Sequence, residues 1–267
     1  MNNLLTRTVS GIFYSTLLVF SAYYSENLFY LLLFGLSIIL LIEFNRLMKR
    51  KNFSPFLILF LLFYLLKEGK ITDYFFYPIL LISVLTNIYL MYNLFTKKPI
   101  REGQLQNFMY SSFYISTSLI YLYYIARIHQ VYNPTVVIGL FVLVWINDSF
   151  AYLVGISFGK RKLFERISPK KTIEGFLGGL FFCLIGGVLL GLYSKILGVK
   201  VWVIISLMTA FLGTIGDLIQ SKFKRQTGVK NSGNLMPGHG GIYDRLDSII
   251  FVAPFILTFM LIFYYVS

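Results

Sequence analysis

Charged clusters and turn residues divide this chain into nine apolar runs, at roughly 9–25, 27–44, 54–66, 74–95, 108–127, 134–157, 173–197, 201–221 and 248–266. A helix needs ~20 largely apolar residues to cross a bilayer. Eight of the runs approach that length, and the run at 54–66 is short enough to be tilted or partly interfacial. The pattern predicts an all-α, polytopic integral membrane protein of about nine transmembrane helices. The first run follows Arg7 and has no small-x-small cleavage site behind it, so it reads as a retained signal anchor. No internal repeat or low-complexity segment appears. Residues 1–130 carry apolar helices with little chemistry, a lipid-facing and structural region with possible oligomer contacts. Residues 131–267 carry the unusual polar groups, as a catalytic region with a polar cavity on its cytoplasmic side.

Composition agrees with the pattern. Hydrophobic residues make up 57% of the 267 and charged residues only 13%, where a soluble domain carries about 25% charged. One soluble core of this size cannot bury so much apolar side chain. The 27 Phe and 20 Tyr suit rings at bilayer interfaces. The single cysteine, Cys183, lies within an apolar run and reads as a small buried hydrophobe. With the N-terminus cytoplasmic, 19 of the 24 Lys and Arg fall on the inner side. That bias places the C-terminus outside. The net charge of +13 is then topology plus attraction to anionic headgroups, and no nucleic-acid partner is expected. An odd helix count gives no guide to a homo-oligomer.

The eleven carboxylates sharpen the picture. Glu26, Glu68, Asp73, Glu102 and Glu165 fall in short loops. Glu43, near a helix end among basic residues, reads as an interfacial partner. Asp148, beside Asn147 in the body of the sixth span, and Asp217, in the eighth, are different. An aspartate deep in a bilayer costs roughly 2.5–3.5 kcal/mol even on lenient scales, so such a residue faces a polar cavity or a partner. Asp244 and Asp247, spaced i, i+3, share one face if the last helix has begun by then. Helix capping is the alternative for them. Asp217, Asp244 and Asp247, with no cysteine pair and only two histidines, describe a hard-cation site. Oxygen ligands and an incomplete protein shell suit Mg²⁺ rather than zinc. The stretch "PGHGG" (237–241) offers backbone N–H groups to an anion, through Gly240 and Gly241 beside His239. Lys224, Arg225, Lys230 and Arg245 add cationic donors around it.

Two stretches carry a family resemblance. "SKFKRQTGVKNSGNLMPGHGGIYDRLD" (221–247) and "INDSFAYLVGISFGKRKLFERISPKKTIEGFLGG" (146–179) closely resemble the signatures of phosphatidate cytidylyltransferases, also called CDP-diacylglycerol synthases. The resemblance covers the C-terminal half and departs from the family at Asn231, where Asp is usual. It implies the reaction CTP + phosphatidate → CDP-diacylglycerol + pyrophosphate, with Mg²⁺. A bacterial inner membrane is the expected location, and the bias of basic residues puts the active site on the cytoplasmic face. The resemblance implies two metal ions, the second of unknown identity, held by Asp217 and Asp244, with Asp247 ligating or orienting a metal-bound water. Lys224 and Arg245 belong to the catalytic group, and Asn147 and Asp148 line the nucleotide cavity. Ser168, Lys170, Lys171 and Thr172 would bind phosphates at the N-terminus of the seventh span, or simply cap that helix. Lys222, Lys224 and Arg225 would meet the triphosphate or lipid headgroup, with Lys230 nearby. The nucleophile is already ionised, so His239 is expected to contact phosphate or organise the loop rather than act as a base. A CTP-dependent lipid-alcohol kinase and an anion transporter are the rival readings.

Overall fold

The computed structural model describes residues 2–101, 103–127, 131–194, 196–236, 238 and 240–266. His239, Pro237 and Glu102 of the readings above lie outside the described residues. The chain is mostly helical: α1 (Asn2–Tyr24), α2 (Glu26–Leu47), α3 (Ser54–Lys67), α4 (Asp73–Phe95), α5 (Gln104–Met109), a π-helical segment (Tyr110–Ser116), α6 (Thr117–Ile125), α7 (Thr135–Phe158), α8 (Ile173–Tyr193), α9 (Val199–Gln226) and α10 (Tyr243–Val266). Among the described residues six helices are long and apolar enough to cross a membrane, namely α2, α4, α7, α8, α9 and α10. The expected run at 108–127 is wound as three consecutive pieces, α5, the π segment and α6. The run at 54–66 forms the 14-residue α3.

The fold is that of an integral membrane protein. Large apolar side chains face outward along α1 (Ile12, Phe13, Phe20) and α3 (Leu57, Phe60, Leu61), as they do where lipid is the solvent. α10 is the opposite case. Four successive positions on it, Ile250 to Ala253, are fully buried, so it is apolar all round and sits inside the bundle. It packs against α9, α6 and α4.

Local chemistry sets several boundaries. Ser25 caps α2 by accepting the Leu28 N–H at 3.1 Å, with Glu26 in the first turn and Arg46 in the last. That is the charge order the helix dipole favours. Thr172 caps α8, its Oγ1 accepting the Gly175 N–H at 3.1 Å. The all-α expectation needs one correction. The segment between α7 and α8 is a hairpin of two short antiparallel strands, β1 (Lys162–Phe164) and β2 (Ser168–Thr172), pairing Lys162 with Thr172 and Phe164 with Ser168. Ser168, Lys170 and Lys171 therefore stand on a strand, and only Thr172, its last residue, caps the helix start.

The helix ends sort into two groups. Tyr132 Oη donates to Ala22 O at 2.6 Å, and Arg127 pairs with Glu26 at 3.2 Å, which joins the α1–α2 and α6–α7 connections at one end. At the other end Arg166 donates to Thr96 O at 2.6 Å, and the Ile100 N–H donates to Gln226 Oε1 at 3.0 Å. The basic segments after α4, after α7 and at the end of α9 thus meet one another. Where α9 crosses α10, a Cβ on Gly216 would stand 2.7 Å from Phe251 Cβ and 2.8 Å from Asp247 O. Only a glycine lets these two backbones approach so closely, and the contact lies directly beside Asp217.

Candidate active site

A cavity of about 740 Å³ opens at this second end, between α7, α9, α10 and the β-hairpin. Four carboxylates line it: Asp148 from α7, Asp217 from α9, and Asp244 and Asp247 from α10. Five cations line it too: Lys162, Lys170, Lys171, Lys224 and Arg245. The helix α10 begins at Tyr243, so Asp244 and Asp247 do share a helical face.

Opposite charges are interleaved across the cavity. Lys171 Nζ lies 2.5 Å from Asp217 Oδ2, and Lys224 Nζ lies 2.8 Å from Asp244 Oδ1. Burial would lower the pKa of Lys171, but the adjoining Asp217 carboxylate outweighs it and holds the ammonium above the usual lysine value. Asp217 Oδ1 also accepts from Ser221 Oγ at 3.2 Å. Asp247 Oδ1 accepts the Ser248 N–H at 2.8 Å. Asp148 Oδ1 has a long contact, 3.4 Å, from Asn147 Nδ2.

Asp244 is the most heavily bonded of the four. Besides Lys224 it accepts from Gln220 Nε2 at 3.1 Å, from the Ser232 N–H at 2.9 Å, from Ser232 Oγ at 3.0 Å and from the Gly241 N–H at 3.0 Å. It thereby ties the preceding loop to the start of α10. Gly240 has φ +94°, and a Cβ there would meet Asp244 Oδ2 at 2.6 Å, so both the backbone turn and the close approach require glycine. The Gly241 N–H does point at an anion, but that anion is the protein's own carboxylate.

A residue read as interfacial has a different place. Glu43 of α2 is buried, with 4% of its surface exposed. Its carboxylate accepts the Ile242 N–H at 3.0 Å, the Tyr243 N–H at 2.8 Å and Ser232 Oγ at 3.2 Å. It serves the N-terminus of α10 as a cap supplied from about 200 residues earlier in the chain. Beneath it Phe44 stands edge-on to Phe223, Tyr114 and Tyr243, with Tyr114 and Tyr243 joined hydroxyl to hydroxyl at 3.0 Å.

The cavity thus gathers Asn147, Asp148, Lys170, Lys171, Thr172, Asp217, Lys224, Asp244, Arg245 and Asp247 from among the anticipated residues. It leaves others aside. Lys222 Nζ donates to Asn93 O, and to Thr96 O at 3.3 Å, so its ammonium caps the C-terminal carbonyls of α4 and faces away from the cavity. Arg225 Nε donates to Ile167 O at 3.3 Å and braces the hairpin turn. Ser168, Lys230, Gly240 and Gly241 are not among the lining residues. Lys162 and Asn231 line the cavity without having been assigned a role. Lys162 arrives through the hairpin register, opposite Thr172.

Among the described residues no three His, Cys, Asp or Glu stand together as a metal cage. The donor set is nonetheless oxygen-only, and two of its carboxylates each already hold an ammonium. Mg²⁺ is commonly held by one or two carboxylates and completed by substrate phosphates and water. The residues therefore fit a cation that arrives with a polyphosphate.

Fold and cavity together define a class: an apolar helical bundle with a cavity lined by carboxylates and cations, suited to phosphate ligands, at the end where its basic loops meet. The sequence matches the profile of the Cytidylyltransferase family over residues 5–263. The chain belongs to this family. It is similar to the phosphatidate cytidylyltransferase of Bacillus subtilis (strain 168), 33% identical over 96% of this chain and 97% of that protein. It is also similar to the phosphatidate cytidylyltransferase of Staphylococcus aureus (strain COL), 49% identical over 46% of this chain and 47% of that protein. The one from Staphylococcus haemolyticus (strain JCSC1435) is 45% identical over the same shares. The chain spans about half the length of the staphylococcal relatives it matches.

Proposed function

We propose that the protein is a phosphatidate cytidylyltransferase, which transfers CMP from CTP to phosphatidate in phospholipid biosynthesis. The observation that carries this reading is the convergence of four carboxylates and five cations, from three helices and a hairpin, on one cavity in a chain of the cytidylyltransferase family. An oxygen of the lipid phosphate forms a bond to the α-phosphorus of CTP. The bond from that phosphorus to the β-phosphate bridge breaks, and pyrophosphate leaves. The nucleophile is already an anion, so the task of the protein is to hold two like-charged reactants together and balance charge on the departing group.

Lys171 and Lys224, each now resting on a carboxylate, are placed to transfer their ammonium groups to substrate phosphates. Lys162, Lys170 and Arg245 supply further charge at the cavity mouth. Asp217, Asp244 and Asp247 would hold Mg²⁺, whose contribution is to neutralise phosphate charge and fix in-line geometry. Asp244 would do so by giving up Lys224. Asn147 and Asp148 line the cavity and would contact the nucleotide. The nine-span topology, with the N-terminus and the cavity cytoplasmic and the C-terminus outside, in a bacterial inner membrane, belongs to the same proposal. The 19-to-5 split of Lys and Arg supports it.

Purified protein in detergent tests the reaction directly. With phosphatidate and Mg²⁺, label from α-³²P CTP should enter the lipid phase while label from γ-³²P CTP stays aqueous as pyrophosphate. Lipid labelled from the γ position would identify a lipid kinase instead, and chelation by EDTA should stop the transfer.

A further inference from the structure

We propose a second ligand site: the basic pocket between the end of α2 and the start of α3 binds the phosphate headgroup of an anionic phospholipid. The pocket has a volume of about 440 Å³ and shares no residue with the charged cavity. Arg46, Lys49, Arg50 and Lys51 supply its cations, and Ile42, Phe53 and Phe56 form an apolar wall. The volume lies within the range of small-ligand sites.

The turn that carries these cations is internally fixed. Asn45 Nδ2 donates to Asn52 O at 3.1 Å, and the Arg50 N–H donates to Asn45 O at 2.9 Å. Asn52 Oδ1 accepts both the N–H and the Oγ of Ser54, at 3.2 and 2.7 Å. Lys49 holds φ +51°, a left-handed conformation uncommon outside glycine. Four like charges are therefore held within six residues. Among the described residues Arg46, Lys49 and Lys51 have no carboxylate partner in an ion pair. Such a turn lowers its own repulsion by taking an anion.

The apolar wall narrows the choice of anion. Phe53 is 75% exposed, and the outward face of α3 continues from it through Leu57 and Phe60. The pocket thus joins a cationic floor to an apolar surface of the kind that faces lipid. A free phosphate would use only the floor, whereas a phospholipid uses both. Topological charge bias accounts for the cations but not for an apolar-walled cavity in a bonded turn. The inference rests on the membrane reading of the fold and is independent of the reaction proposed above.

The test uses the full-length protein in neutral detergent, titrated with dioleoylphosphatidylglycerol or dioleoylphosphatidylcholine and read by native mass spectrometry. Neither lipid offers the phosphomonoester of phosphatidate, so failure here leaves the reaction untouched, and failure of the reaction leaves this test intact. The wild type should retain one phosphatidylglycerol in preference to phosphatidylcholine. Arg46→Gln with Lys49→Gln should weaken that binding by about fivefold for each cation removed. Lys97→Gln with Lys98→Gln, an equal charge change on another exposed basic loop, should leave it unchanged. If the first pair alters the elution profile, Lys49→Gln with Lys51→Gln takes its place. Equal losses in the control pair, absence of a phosphatidylglycerol preference, or displacement of the lipid by millimolar inorganic phosphate would each overturn the proposal.

Discussion

Lys222 and Lys224 stand two residues apart on α9 and do different work. Lys224 reaches Asp244 in the cavity, while Lys222 turns to the backbone at the end of α4. Lys224→Gln and Lys171→Gln should therefore lower kcat/KM for CTP with little change in melting temperature. Lys222→Gln should do the reverse, losing about 1–3 kcal/mol of stability as buried carbonyls go unpaired; thermal unfolding and steady-state kinetics on the same preparations separate the two. Asp217→Asn and Asp244→Asn should each reduce turnover at least about a hundredfold, the scale of removing one charge-stabilising group from a reacting phosphate or acyl centre. Both variants should still insert and purify. Full activity in either would remove that residue from the reaction. The two roles on α9 could have been separated from the sequence. Asp217, Ser221 and Lys224 recur at spacings of four and three and share a face, and Lys222 lies off it. Lys162 had no such signal, because only the hairpin register brings it beside Thr172.

At the scale of elements, α10 is the piece on which the site turns. It carries two of the four carboxylates, and its start is held by Asp244 from within and by Glu43 from α2. Glu43→Ala should lower the melting temperature and reduce kcat more than KM, because it frees the N-terminal turn of α10 without touching a substrate. Glu43→Gln, which keeps one acceptor oxygen, should recover part of both. An unchanged kcat in the alanine variant would make Glu43 a packing residue only. Gly216→Ala should push α9 and α10 apart beside Asp217 and cost activity at least about tenfold, since small misplacements of reacting groups are expensive. Among the described residues each of the nine apolar runs lies mainly on helix, the form in which a single segment satisfies its own backbone groups in lipid. The hairpin was missed because its strands, of three and five residues, are too short to show a period. Glu43 was misplaced for a related reason: its neighbours in sequence are basic, but its partners are about 200 residues away.

For the whole molecule, the N-terminal helices are more than a lipid-facing annex. α2, through Glu43 and Phe44, and the π segment, through Tyr114, pack directly under the loop and helix that bear the carboxylates. On the proposed function, groups distant in sequence face one cavity that handles phosphates. Paired cysteine protection measures it. Tyr152 on α7 and Asn231 in the loop before α10 both line the cavity, whereas Lys51 lies in the separate basic pocket. The natural Cys183 is buried and should be silent. In single variants Tyr152→Cys, Asn231→Cys and Lys51→Cys, maleimide labelling is followed while Mg²⁺ and a non-reacting CTP analogue are titrated together. The cysteines at 152 and 231 should become protected over the same concentration range, while the one at 51 labels at an unchanged rate. Protection of only one of the two cavity positions, or of neither, would contradict the proposal.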